Sequence, residues 1–220
     1  MSNAQPTFTR TEVRQIGRII ANMTHDMKNV LGVVRTSMGL LADIQAMGKK
    51  GLKHADTAAK ALEKMDRQSA KGVELSTHTN NFAHAMDRET SSFDLHHLAE
   101  DVARLMERLA AQQEMTLRAV ASGPSPTVEA DRIRLFLALS LLVDACLAAG
   151  PAQAQLTLTA HGGGGGVLRV AMSPGGGASA PELTSAVPEE ARDAWQALGW
   201  SLAGEDGGDG PVLSLTLPAV

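Results

Sequence analysis

Apolar side chains recur at Ile16, Ile20, Met23, Met27, Val30, Val34 and Leu41. The steps of four and three residues draw one stripe along a helix, with Ser37 at its single interrupted position. The pattern predicts a helix from about Thr11 to Met47. Gly48-Lys49-Lys50-Gly51 then breaks it, since paired glycines stop helices. A second helix is expected from about Leu52 to Met86, with Leu62, Met65, Val73, Phe82 and Met86 turned inward. Two amphipathic helices bury little by themselves. A homodimer in which two helical hairpins form a four-helix bundle is the economical way to cover the remaining apolar surface.

Beyond residue 90 the periods change. Asp94 precedes Leu98, Val102, Leu105, Met106 and Leu109 and is a natural N-cap. Met115–Ala121 alternates as a strand does. Asp131 is placed to cap a helix over Ile133–Ala149, whose almost wholly apolar composition requires burial on all sides. Leu156–Ala160 and Val167–Met172 read as strands joined by His161 and five glycines. That glycine run lacks the Lys-Ser/Thr ending of a phosphate-binding loop and is expected to be a plain hairpin loop. A short helix over Pro188–Leu198 and a strand over Val212–Leu217 complete the pattern. The fold class expected is α+β: a helical hairpin over residues 1–90, then a small α/β sandwich over residues 91–220.

The first helix carries the chemistry. His25 lies two residues from both Met23 and Met27. At 100° per residue that sets it opposite the apolar stripe. Asn29 is one turn on, on the same exposed side. Gly32 and Gly39 follow on that side, although each helical glycine costs roughly 1 kcal/mol relative to alanine. Two such costs on one exposed stripe point to another surface that comes close there. Asp26 is the neighbour of His25, Lys28 shares the exposed side, and Arg18 lies two turns earlier on the same helix.

Thr24-His25-Asp26-Met27-Lys28-Asn29 resembles the H-box of two-component sensor histidine kinases. There the phosphorylated histidine is followed by an acidic residue and, at the fourth position, by Asn or Thr. Phe93-Asp94-Leu95 and Pro126-Thr127-Val128-Glu129-Ala130-Asp131-Arg132-Ile133-Arg134 are similar to segments that open the kinase ATP-binding domain. The resemblance spans roughly residues 12–172, with a weaker tail at 194–218. It implies a dimeric hairpin followed by an ATP-binding domain. Two departures stand out. Asp144 occupies the position where such kinases carry an Asn that helps hold Mg²⁺ on ATP. Ser173-Pro174-Gly175-Gly176-Gly177 stands where an Asp-x-Gly-x-Gly box would read adenine, and no second Gly-rich box or lid follows. What remains resembles bacterial histidine phosphotransferases of the dimeric hairpin type, which relay phosphate between response-regulator receiver domains. On this reading the chain binds no cofactor. Mg²⁺ would sit on the partner receiver, and His25, Asp26 and Asn29 would form the catalytic group, with Asp26 orienting the ring, Lys28 attracting phosphate, and Arg18 and Gly32 meeting the acidic receiver. The alternatives are a receiver phosphatase, with Asp26 and Asn29 positioning a water, or a non-catalytic regulatory module that binds a kinase or a regulator.

Composition narrows the classes further. The 220 residues are 44% hydrophobic but only 3% aromatic, with no tyrosine and a net charge of −4. Scarce aromatics and negative charge argue against nucleic-acid binding. Cys146 is the sole cysteine, so an intrachain disulfide is excluded. The spacing of His54, His78, His84, His96, His97 and His161 offers no helical metal pair. No apolar stretch is long enough to span a membrane and no signal-peptide pattern opens the chain, so a cytoplasmic protein is expected.

Overall fold

The computed structural model describes residues 7–162, 165–173 and 178–218, apart from the side chain of Leu52. Helix α1 runs over Arg10–Ala46. Thr9 caps it: its hydroxyl accepts from the Glu12 N–H at 3.1 Å, and the Glu12 carboxylate accepts from the Thr9 N–H at 2.7 Å. The predicted turn is a 3-10 helix over Gly48–His54 that leads into α2, Ala55–His84. Gly48 has a positive φ of 57°. At Gly51 a Cβ would run into the Ile44 carbonyl, so both glycines are required where the chain reverses. The helices then pack antiparallel, with Val30 of α1 against Gly72 of α2.

The remaining elements are β1 (Ser91–Asp94), α3 (Leu95–Gln112), β2 (Thr116–Ala119), β3 (Thr127–Ala130), α4 (Arg132–Ala149), β4 (Gln155–His161), β5 (Val167–Ser173), α5 (Ala180–Ala186), α6 (Glu189–Ala197), β6 (Ser201–Gly207) and β7 (Gly210–Thr216). Asp94 caps α3 by accepting from the His97 N–H at 2.9 Å, and Asp131 caps α4 by accepting from the Arg134 N–H at 3.1 Å. Strands β1 and β3 form a small antiparallel pair. The main sheet has the order β2-β4-β5-β7-β6, parallel between β2 and β4 and antiparallel elsewhere. The chain is thus α+β, with a helical N-terminal region and a mixed sheet.

Alternation along the strands turns Leu156, Leu158, Leu168, Val170, Leu213 and Leu215 to one face, where the helices cover them. Helix α4 is buried along nearly its whole length, as its composition requires. Cys146 sits in it, and burial pushes its thiol up to about 12, out of the reactive range. The core is continuous with the helical pair. Ile19, Leu75 and Phe82 join it, and Phe82 meets Phe136 of α4 edge to face at 4.8 Å.

Five elements differ from the sequence expectation. Strands β1, β3 and β6 and helix α5 lie where no element was expected, and Leu62 and Val73 of α2, with Met86 just after it, face outward rather than in. Ala61, Leu75 and Phe82 take the inner positions of that helix. The glycine run at 162–166 falls partly outside the described residues, as does the segment after Ser173.

Candidate functional site

Helix α1 has two engaged sides, one bare apolar side and one open polar side. One side packs on α2, where Val30 of the apolar stripe is buried against Gly72, while Ile20 of that stripe stays exposed. A second stripe, Glu12, Gln15, Ile19, Asn22 and Asp26, also repeats by three and four residues, and it lies against α3 and α4. Its members are mostly polar, and each has a partner. Glu12 faces Arg134 at 3.5 Å. The Gln15 amide donates to Ser140 at 3.1 Å and to Asp144 at 2.8 Å. Asn22 donates to the Leu105 carbonyl at 2.6 Å, and Asp26 meets Arg108 at 3.3 Å. Polar residues in that rhythm are invisible to a hydrophobic pattern and read as a solvated face. Sequence reasoning therefore missed this contact.

Arg18 belongs to the same contact. Its guanidinium is 2.6 Å from the Asp144 carboxylate, so this residue, expected to meet a partner, is held by α4 while half exposed. Burial raises the Asp144 carboxyl above the ordinary carboxylate range, and the Arg18 charge and the bonds from Gln15 and Arg18 offset this only in part.

The third side is apolar and bare. Val13, Ile20, Leu31 and Met38 are exposed along α1, Ile20 at 47%. Ile20, Met23, Met27 and Leu31 line one wall of a groove of about 570 Å³ whose other wall is Phe82, Ala83 and Met86 of α2.

His25 stands on the open side, its side chain 52% exposed. Two neighbours converge on one ring nitrogen. The Asn29 amide nitrogen is 3.1 Å from Nδ1, and an Asp26 oxygen is 3.7 Å from the same atom. No contact among the described residues engages Nε2. Lys28, Asn29 and Gly32 share the exposed side, and a Cβ built on Gly17, Gly32 or Gly39 meets nothing within 4 Å. The structure thus brings His25, Asp26 and Asn29 together, sets Lys28 and Gly32 beside them, and commits Arg18 elsewhere. This is an exposed imidazole with two neighbours at one ring nitrogen and no described contact at the other, with Gly32 beside it.

The other histidines are structural or peripheral. His78 Nδ1 lies 2.6 Å from the buried Asp101, and His84 pairs with Asp87 at 2.6 Å. No group of three or more His, Cys, Asp or Glu side chains able to hold a metal ion gathers among the described residues.

No protein-family model matches the chain, and no curated protein matches it. Solved structures do. The fold is similar to that of a bacterial phosphotransferase. The two are 14% identical, with 96% of this chain and 99% of that one covered at a TM-score of 0.51. The Acinetobacter baumannii histidine kinase AdeS aligns at 16% identity over 84% of this chain and 95% of its own, with a TM-score of 0.47. The cytoplasmic segment of histidine kinase QseC aligns at 13% identity over 60% of this chain and 80% of its own, also at 0.47. At these identities the likeness is one of fold. Among the described residues no helix is long and apolar enough to cross a membrane.

Proposed function

We propose that the chain is a histidine phosphotransferase, relaying phosphate between response-regulator receiver domains through His25 without binding ATP. One observation carries the reading: Asp26 and Asn29 both address Nδ1 of an exposed imidazole and leave Nε2 open. In the neutral ring with its proton on Nδ1, the lone pair is on Nε2. That nitrogen attacks the phosphorus of a receiver's aspartyl phosphate. The N–P bond forms as the acyl-phosphate O–P bond breaks, and the receiver's aspartate leaves as a carboxylate. The ring keeps its Nδ1 proton and becomes cationic, and Asp26 offsets that charge. Such transfer is mostly a matter of positioning and charge stabilisation, and the receiver supplies the Mg²⁺. Gly32 and Gly39 leave room for the receiver to approach the helix. The division into a phosphoacceptor hairpin, residues 1–90, and a kinase-like sandwich, residues 91–220, belongs to this reading. The test is transfer of label from a phosphorylated receiver to His25.

The reading without ATP chemistry rests on the missing adenine-reading Asp, the absent lid and Asp144. In the kinases the chain resembles, an Asn at this position faces the nucleotide's metal; here Arg18 and Gln15 of α1 hold the carboxylate. Calorimetric titration with ATP and Mg²⁺ is expected to give no heat of binding at micromolar concentrations. A micromolar dissociation constant would reverse this part of the reading.

The bare apolar side of α1 supports a homodimer. Exposed side chains of this size and number are uncommon on a surface that stays in water. Ile20 and Leu31 lie roughly 120–140° around the helix from His25, so a partner helix seated there leaves His25 open. Light scattering is expected to give twice the chain mass for the wild type. Ile20→Glu, which places a charge in the seam, is expected to give the monomer. A wild type that runs as a monomer at micromolar concentration would exclude the bundle.

A further inference from the structure

One oxygen of Asp26 stands between two cationic or potentially cationic groups. It is 3.3 Å from Arg108 Nε and 3.7 Å from His25 Nδ1. The guanidinium is charged at any working pH, whereas the imidazole is charged only when protonated. Arg108 belongs to α3, far from His25 in sequence, and its side chain is three-quarters buried. One turn earlier on both helices, Asn22 donates to the Leu105 carbonyl at 2.6 Å and keeps α1 and α3 in register.

A carboxylate can only accept a hydrogen bond, so Asp26 favours the ring tautomer with its proton on Nδ1. Asn29 does not choose. Its amide nitrogen as placed donates to Nδ1 and suits a ring protonated on Nε2; turned by half a rotation, its oxygen accepts from Nδ1 instead, so it can serve either tautomer. The choice of tautomer therefore falls to Asp26, and the state of Asp26 falls to Arg108. Without that guanidinium the carboxylate loses its anchor and can move among rotamers. Its undivided charge also favours the doubly protonated ring, which has no lone pair on Nε2. Both effects deplete the nucleophile.

We infer that Arg108 is a positioning residue: through Asp26 it holds the His25 ring in the tautomer that presents Nε2, and so makes the reactivity of α1 depend on the seating of α3. This rests on the phosphotransferase reading and extends it to the control of that site. Arg108 itself touches no reacting atom.

The experiment uses the full chain with ¹⁵N-labelled histidine. Ring nitrogen shifts and label uptake from a phosphorylated receiver are measured for wild type, Arg108→Ala and Arg108→Lys. A partly exposed ion pair has a modest effect, so Arg108→Ala should slow uptake about fivefold while leaving the receiver KM unchanged. The His25 nitrogen shifts should leave the wild-type pattern, and Arg108→Lys should restore a good part of both. Wild-type ring shifts in Arg108→Ala would overturn the inference. So would altered shifts with an unaltered rate, or a lysine variant no better than alanine. If no receiver labels the wild type, the phosphotransferase reading fails, while the ring shifts still decide whether Arg108 sets the tautomer.

Discussion

Replacing His25 by alanine is expected to bring uptake of label from a phosphorylated receiver down to background, with fold and dimer unchanged. The side chain is half exposed, and among the described residues its polar contacts are to Asp26 and Asn29, so its removal leaves no buried cavity. Changes at such positions alter stability by no more than about 0.5 kcal/mol. The measurement is acid-labile, base-stable radiolabel on the chain after mixing with phosphorylated receivers, with unfolding and light scattering as controls. Asn29→Ala should keep the labelling, since Asp26 still selects the tautomer. Acid-labile label on the His25→Ala protein would move the phosphoacceptor elsewhere. If receivers lose phosphate faster beside a wild type that never becomes labelled, the chain is a receiver phosphatase.

The largest stability effect is expected at Asp101. This carboxylate is 2% exposed. It lies 2.6 Å from His78 Nδ1, accepts from Asn81 at 3.0 Å, and pairs with Arg132 at 3.0 Å. It therefore ties α2 and the start of α4 to α3. In Asp101→Ala those three donors lose a common acceptor beneath the surface. Removing one partner of a buried pair costs about 3–5 kcal/mol. Arg132 and His78 keep some contact with water, which favours the lower end, about 3 kcal/mol. For a chain of this size that lowers Tm by roughly 6–12 °C. Asp101→Asn keeps an acceptor but loses the charge, so about half the effect should remain. Denaturant unfolding at neutral pH measures both. A loss below about 0.5 kcal/mol in the alanine variant would show that the three elements hold together without this group.

Local periodicity made much of this architecture legible. The stripe from Ile16 to Leu41 located α1, Asp94 and Asp131 located the starts of α3 and α4, and alternation located β4, β5 and β7. His25 stood out because its neighbours two residues either side were apolar. Signals that depend on distant partners were hidden. Strand β3 exists because it pairs with β1, and β6, Ser-Leu-Ala-Gly-Glu-Asp-Gly, is an edge strand with loop-like composition. Leu62, Val73 and Met86 looked like inward positions, yet the small Ala61 and the bulky Leu75 and Phe82 face the neighbouring elements. The second stripe of α1 was hidden because its residues are polar. Arg108 carried no signal in the sequence, because only folding brings it to Asp26.

The crowding of α1 has a consequence for how such a chain can diverge. Its sides toward α2 and toward α3 and α4 are tied to packing, and the bare apolar groove is the seam proposed for the dimer. A narrow strip around His25, with Ala21, Asn29, Gly32 and Arg35, is exposed and lines none of the three. A duplicated copy could be re-addressed to a different regulator by changes in a handful of codons along that strip. Most other changes along the helix would be removed by selection for a folded chain before any new partnership was tried.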